Sequence, residues 1–489
     1  MKPITAVCTY APGTLFLPAL RGLLKSEYIE QVLIITREPI PEVLPRCTII
    51  DTGTFASNIT LKRILERAGT EYILFIPGKI PVLAGPATLE KMMEAARTRK
   101  AGFVYSDFYE DNGSGKTNHP LRDYQLGSVR DDFNFGFMAL VDNSAIRYAL
   151  MKHGDVPSIR HAALYDLRLK ISVDREIYRI PEPIYSMIIH GSNRADDAHF
   201  AYVDPRNQQV QREMETIFTD HLKRIHAYIP ANNLIRIEEP ADPFPVTASV
   251  IIPVKNREKT IADAIHSAIS QEADFTFNVI VIDNHSTDGT TEIIADLAEK
   301  NAAIRHIKPD RLDLGIGGCW NVGINDSSCG HYCVQLDSDD LYENHLVLET
   351  IVDTLKDGKY AMVVGSYTIV NEKLEQIPPG LIDHREWTDD NGHNNVLRIN
   401  GLGAPRAFNT TALRPIGFMN VSYGEDYGVA LRMSRRYKIG RIYESLYLCR
   451  RWPGNTDAGL STDAANRNNA FKDSLRTREI LERQEIVKK

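Results

Sequence analysis

With 489 residues, 43% hydrophobic and 25% charged, the chain is too long for one ordinary core and reads as a globular protein of on the order of two to four domains. A net charge of −7 gives no support for a nucleic-acid binder, which would carry a strongly basic domain. No apolar run approaches the roughly 18 residues of a membrane helix, and the first residues lack a signal peptide's apolar run and cleavage site, so a cytoplasmic protein is expected, at most peripheral at the inner face of the membrane.

In chain order, 4–9 reads as a strand, 15–25 as a helix, 31–36 as a strand and 61–68 as a helix. The β-branched and aromatic run 71–77 is the next strand. It leads into Gly78-Lys79-Ile80, which holds no carboxylate. Residues 230–247 are polar and carry several prolines, which forbid a helix and disfavour a central strand, so this stretch reads as a linker or edge segment. Beyond it the plan repeats: strand 248–253, helix 259–271 with Ile261, Ala264, Ile265, Ala268 and Ile269 on one face, and strand 278–283. The polar turn 284–289 caps a helix from Thr291, and strand 331–336 runs into Asp337-Ser338-Asp339-Asp340. Residues 462–489 have helical spacing, with basic residues offset by acids, and read as a solvated face packed on the domain, in preference to a basic helix on an anionic membrane. Strands alternating with helices imply an α/β fold. The expected division is a first domain over 1–229, the linker 230–247, a second domain over 248–461 and a helical tail over 462–489. The scattered cysteines Cys8, Cys47, Cys319, Cys329, Cys333 and Cys449 read as reduced, mostly buried thiols.

In open α/β sheets, ligands bind at the carboxyl ends of the strands. Pro253-Val254-Lys255-Asn256, Asp283-Asn284 and Asp337-Ser338-Asp339 all fall at such ends. Two carboxylates at i and i+2 in extended chain point to one side and can hold a hard divalent cation through oxygen. A calcium EF-hand loop from Asp337 fails, because Tyr342 stands where Gly is needed and Leu348 where Glu is needed. A dinucleotide fingerprint at Gly315-Ile316-Gly317-Gly318 fails too, with Trp320 at the third glycine position.

From residue 249 to about 461 the chain resembles the family 2 glycosyltransferases of GT-A fold. The resemblance rests on Ser249-Val250-Ile251-Ile252-Pro253-Val254-Lys255-Asn256, Val281-Ile282-Asp283-Asn284, Asn321-Val322-Gly323, Gln335-Leu336-Asp337-Ser338-Asp339-Asp340, Gly424-Glu425-Asp426-Tyr427 and Arg450-Arg451-Trp452-Pro453-Gly454-Asn455, in that order. It implies two tandem GT-A-like domains, each a mostly parallel sheet flanked by helices, the first degenerate. It also implies inverting transfer of a sugar from a nucleoside-diphosphate sugar to a hydroxyl of a glycan or lipid-linked glycan. By resemblance, Asp339 and Asp337 hold Mn²⁺ or Mg²⁺, Asp426 is the catalytic base and Glu425 contacts the acceptor. Pro253, Val254, Asn256, Asp283, Asn284, Asp337, Ser338, Arg450, Arg451 and Trp452 bind the donor. Three positions depart from the family pattern. Asn284 replaces a base-binding Asp, leaving a UDP-sugar as the leading donor. Trp320 stands where relatives often carry Arg, and Trp452 where some carry a His near the metal.

The first half resembles the same family more faintly, through Val104-Tyr105-Ser106-Asp107, Tyr165-Asp166-Leu167-Arg168-Leu169-Lys170, Pro181-Glu182-Pro183-Ile184-Tyr185 and His190-Gly191-Ser192-Asn193. Pro77-Gly78-Lys79 replaces the metal acids, and Ala163-Leu164 stands where Glu425-Asp426 stands. A non-catalytic partner domain is expected there, and a homo-oligomer is left open. The rival readings are a sugar-nucleotide nucleotidyltransferase, for which Pro253-Val254-Lys255-Asn256-Arg257 lacks the glycines, and a non-enzymatic glycan-binding scaffold.

Overall fold

The β-branched runs form the strands the sequence announces, because side chains such as Val250, Ile251, Ile252, Val279, Ile280 and Val281 are fully buried on both faces of a covered sheet. The computed structural model describes residues 2–488 apart from Thr14, Val43, Gly53, 79–81, 189–207, 239–242, Glu386, 453–454 and 456–459. Lys79, the motif 190–193, the centre of the linker and Pro453-Gly454 therefore lie outside the described residues.

Two mixed sheets result. The first holds β1 (Ile4–Thr9), β2 (Ile29–Ile35), β3 (Cys47–Ile50), β4 (Tyr72–Ile76), β5 (Val82–Ala84), β6 (Phe103–Asp111), β7 (Lys116–His119), β8 (Ala139–Asp142) and β9 (Ile177–Ile188), in the order β3-β2-β1-β4-β8-β6-β9-β5 with β7 on β6. The second holds β10 (Ala248–Val254), β11 (Phe277–Asp283), β12 (Ile304–Ile307), β13 (Tyr332–Gln335), β14 (Leu341–Tyr342), β15 (Met362–Val370), β16 (Gln376–Ile382), β17 (Arg406–Asn409) and β18 (Ile439–Arg450), in the order β12-β11-β10-β13-β17-β15-β18-β14 with β16 on β15. Adding nine to each strand number of the first sheet reproduces the second. The α/β class and the duplicated plan are thus found. Each sheet is parallel through its first four strands and then takes antiparallel neighbours at β8 and β17. Those strands come late in the chain, after a hairpin, so alternation of strand and helix alone does not reveal them.

The duplication sets the two halves' sites side by side. β4 and β13 occupy the same place, but Ile76 leads to Pro77-Gly78 where Gln335 leads to Leu336 and the acids. Helices Ala163–Asp174 and Glu425–Ser434 precede β9 and β18, so Ala163-Leu164 does correspond to Glu425-Asp426. Asp107 is ion-paired with Arg179 at 2.9 Å, Glu110 meets His119 at 2.7 Å, and Asp111 caps the turn at Gly113. These acids are engaged separately.

The halves share one apolar cluster that joins Ile217, Phe218 and Leu222 to Val396, Leu397 and Ile480. Polar contacts cross the same seam: Arg398 Nη1 donates to Asp131 Oδ1 and to Gln211 Oε1, both at 2.8 Å. The linker runs along the second half, where Ile235 N donates to Arg436 O at 2.9 Å and Ile237 N to Lys359 O at 2.8 Å. The last helix, Thr462–Val487, is not the solvated face expected of it. It buries Lys472, Asp473, Arg476, Glu479 and Arg483 between the halves. Its acids and bases alternate at i+3 and i+4 and satisfy one another, as with Arg476 Nη1 to Asp473 Oδ1 at 2.7 Å and Arg483 Nε to Glu479 Oε1 at 2.8 Å. Among the described residues no helix is long and apolar enough to cross a membrane.

Candidate active site

Strands β10, β11 and β13 end on the same side of the second sheet. In register, Val254 faces Asp283 and Ile251 faces Gln335. Past β13 the chain turns. Asp337 N donates to Tyr447 Oη at 2.9 Å, Ser338 O accepts from Thr260 Oγ1 at 2.9 Å, and Asp340 Oδ1 accepts from Arg450 N at 2.7 Å. Asp340 is thereby fixed against the backbone of Arg450, and Asp337, Ser338, Asp339 and Asp340 all line a cavity of about 860 Å³. Burial pushes the Asp337 carboxyl up, and burial together with Asp337 and Asp339 pushes Asp340 well up. Asp339 Oδ2 has Trp452 Nε1 at 3.2 Å and Arg257 Nε at 3.4 Å.

The helix Glu425–Ser434 brings the second pair of acids to the same cavity. Gly424, in the left-handed region at φ 76°, turns the chain into it. Asp426 Oδ2 is ion-paired with Arg406 Nη1 at 2.8 Å. Burial pushes the Asp426 carboxyl up, but Arg406 and Lys472 outweigh it and hold it below the usual range. Glu425 is pushed up to about 8 by burial and by Asp426, and its Oε2 has no hydrogen-bond partner among the described residues. Two adjacent carboxyls are thus driven apart, one ionised and one holding its proton. Arg406 carries no family motif. It starts β17, its N donates to Gln335 Oε1 at 3.1 Å, and Gln335 Nε2 donates to Asp337 Oδ1 at 2.9 Å, so one glutamine ties the arginine to the first acid pair.

Of the residues singled out in the sequence, Pro253, Asp337, Ser338, Asp339, Glu425, Asp426 and Arg451 line the cavity. Trp452 joins the site through Asp339 and carries Arg257 over its ring at 5.7 Å. Arg450 turns away, with Nη2 on Asp263 at 3.2 Å. Val254 is buried, and Asn256 at φ 54° holds the neighbouring turn by accepting from Thr287 N at 2.8 Å. Asp283 is also spent on that turn. Burial pushes its carboxyl up, but Thr291 Oγ1 at 2.6 Å and Ser286 N at 2.9 Å hold it below the usual range. Asn284 donates Nδ2 to Leu314 O at 2.8 Å, which leaves Oδ1 as an acceptor without a partner among the described residues. Trp320 lines the cavity wall, stacked on Phe418 with ring centres 5.0 Å apart. The last helix supplies Ala464, Arg467, Asn468, Phe471 and Lys472, which the sequence reading left on a solvated tail.

A second cavity, about 1060 Å³, lies between the halves near Lys223, Tyr228, Arg432, Arg436 and Tyr437. Its one acid is Glu482, so it offers no paired carboxylates. Among the described residues no three His, Cys, Asp or Glu side chains converge as a metal-holding group. Asp337 and Asp339 supply two hard oxygen donors, which suits a cation that takes its remaining ligands from water and substrate phosphate.

Comparison with known proteins bears on the same stretch of chain. The family model described as Glycosyl transferase family 2 matches residues 249–413. Glycosyltransferase GlyA of Streptococcus pneumoniae is 26% identical over 200 residues, 41% of this chain and 27% of that protein. The GalNAc(5)-diNAcBac-PP-undecaprenol beta-1,3-glucosyltransferase of Campylobacter jejuni is 31% identical over 125 residues, 25% of this chain and 39% of that protein. The chain thus spans well under half the length of these curated relatives. Among solved structures, S. aureus TarS 1-349 in complex with UDP-GlcNAc aligns over 48% of this chain and 72% of that one, with 21% identity and a TM-score of 0.37. It is thus residues 249–413, in the second half of the chain, that resemble glycosyltransferase family 2.

Proposed function

We propose that this cavity transfers a sugar from a nucleoside-diphosphate sugar to a hydroxyl of a glycan or lipid-linked glycan, with inversion at the anomeric carbon. The observation that carries the reading is the meeting of two acid pairs at one cavity, Asp337/Asp339 from a strand end and Glu425/Asp426 from a helix start far along the chain. The pairs divide the work. Asp339 and Asp337 would hold Mn²⁺ or Mg²⁺ beside the donor's diphosphate, where a cation offsets the charge that grows on the leaving group. Asp426, kept ionised by Arg406 and Lys472, takes the proton from the attacking hydroxyl. Glu425, holding its proton, is placed to donate a hydrogen bond to the acceptor. Attack from the face opposite the leaving diphosphate inverts the centre. On the donor side, Arg451 and Arg257 are among the cations that line the cavity, where phosphate oxygens would lie. Asn284 Oδ1 can accept an imide N–H as an aspartate would, which supports a UDP-sugar.

The test is nucleotide release from a panel of UDP- and GDP-sugars with Mn²⁺, comparing the parent with Asp339→Ala and Asp426→Asn. Each variant is expected to lose about a hundredfold or more in turnover. If both release nucleotide as fast as the parent, the assignment of these acids is wrong; a parent that releases none from any donor leaves a glycan-binding scaffold in its place.

A further inference from the structure

The helix Thr462–Val487 has two working faces. Residues 464, 467, 468, 471 and 472 recur at helical spacing and line the cavity. Residues 466, 469, 470, 473 and 477 form the adjoining face, and the first half of the chain grips it. Asn466 Nδ2 donates to Pro120 O at 2.7 Å, Arg130 Nη1 to Asn469 Oδ1 at 3.1 Å, Gln125 Nε2 to Ala470 O at 3.1 Å, and Gly127 N to Thr477 Oγ1 at 2.8 Å. At the centre Asp473, fully buried, accepts from Arg122 Nε at 3.2 Å and Ser128 Oγ at 2.9 Å. The approach is backbone to backbone: a Cβ added to Gly127 would stand 2.1 Å from Asp473 O and 2.4 Å from Thr477 N.

Such a grip matters because the helix has little apolar surface of its own to hold it. Leu475 and Ile480 are its buried hydrophobic residues, whereas Lys472, Asp473, Arg476, Glu479 and Arg483 are buried polar ones. Apolar burial is non-directional, so the helix's register depends on its hydrogen bonds. The bonds lead onward to the acids. Arg476 Nη1 holds Asp473 Oδ1 at 2.7 Å and its Nε donates to Tyr427 Oη at 2.9 Å, and Tyr427 follows Asp426 directly. Lys472 donates to Asn400 O at 2.8 Å, lies 4.7 Å from the centre of the Tyr423 ring, and is near enough to Asp426 for each charge to act on the other.

We propose that the first half of the chain positions the acceptor wall of the second half's cavity by clamping this helix, with Asp473 as the positioning residue and Phe471 and Lys472 as the wall. The first half thereby serves the chemistry of the second half's cavity. This rests on the transferase reading above.

The experiment uses the full chain with Gly127→Ala, which wedges the clamp, and Asp473→Asn, which removes its charge. Four quantities are read: amide hydrogen exchange over 462–487, UDP affinity by calorimetry, and kcat and KM for p-nitrophenyl glycoside acceptors with UDP-sugar donors. Loosened exchange is expected together with a fall of about a hundredfold in acceptor kcat/KM, the scale of a misplaced catalytic group, while UDP affinity stays within twofold. Lys472→Met should lower the same acceptor parameters with exchange unchanged. Where either clamp variant does not fold, Ser128→Ala and Gln125→Ala each remove one hydrogen bond, and their loss of protection should rank with their loss of acceptor kcat/KM. A loosened helix with unchanged acceptor kinetics overturns the proposal, as does a parallel loss of UDP affinity, which marks general damage. A parent that releases no nucleotide from any donor overturns the transferase reading and this proposal together, whereas an active parent insensitive to the clamp overturns this proposal alone.

Discussion

Arg406 shows how much of a site rests on residues without a motif. Its guanidinium lies 2.8 Å from Asp426 and heads the charges that keep that carboxylate ionised despite burial. Replacing it with Met removes that attraction, so the Asp426 pKa rises. A base with a raised pKa is protonated at higher pH, so the acid limb of kcat/KM should move upward, by about a unit or more. Nucleotide release between pH 4 and 9 reads this directly. An unmoved acid limb would mean that Asp426 is not the base or that Arg406 does not tune it. Asn284 makes a second claim at this scale. Because Nδ2 is committed to Leu314 O, its free Oδ1 can only accept. Asn284→Leu should weaken UDP binding about tenfold, the worth of one hydrogen bond to a buried group, with acceptor KM unchanged. Calorimetry with UDP checks it, and an unchanged affinity would remove Asn284 from the base subsite.

Among the elements, the helix Ile316–Asn325 explains a run of glycines that resembles a phosphate loop and is not one. A Cβ on Gly315 would stand 2.6 Å from Val421 C, one on Gly317 1.9 Å from Met419 O, and one on Gly318 2.2 Å from Asn420 Oδ1. These glycines let the helix start lie flat on 419–421, the segment that leads into Gly424 and the acid pair. Gly317→Ala meets backbone, not a flexible side chain, so overpacking should cost about 1–3 kcal/mol and lower the thermal midpoint. A variant that melts with the parent would show that the segment yields freely. Here lies the limit of what a sequence discloses. The strands around Val250 and Val281 were legible because β-branched runs buried on both faces leave a plain pattern, and so were the acids just past them. Arg406 was not, because an antiparallel strand far along the chain brings it to Asp426. The inward face of 462–487 was not either, since charges that neutralise each other inside a protein look, in sequence, like charges in water. Arg450 ends β18 and Arg451 follows it, so the two side chains leave in different directions, one to Asp263 and the other to the cavity.

For the whole molecule, the seam between the halves should be where acid acts first. His393 Nε2 donates to Ile229 O at 2.7 Å, and the ring is 3% exposed. Burial, with Arg483 nearby, pulls its pKa down to about 4 from 6.5. His221, buried on the helix Gln208–Arg224 of the first half, is pulled down to about 3 by burial and by Arg224. Both rings are neutral in the folded chain and become charged in the unfolded chain below pH 6.5. The unfolded state then binds more protons, so stability is complete above pH 6.5 and falls as pH drops toward the folded values. Glu425 acts in the opposite sense, since its raised pKa favours the folded state as pH falls from about 8 toward 4.5. A bare pH profile therefore mixes the two, and the informative quantity is a difference between variants. His393→Gln keeps a donor for Ile229 O and cannot titrate. Between pH 7.5 and 5.0 the parent should lose about 2 kcal/mol relative to this variant, at about 1.4 kcal/mol per pH unit below 6.5. Denaturant unfolding of both proteins at the two pH values measures it. A difference that stays constant would mean that His393 is reached by solvent and that the seam does not report on pH. A difference that opens by the stated amount would tie the contact between the two halves to the protonation of one buried ring.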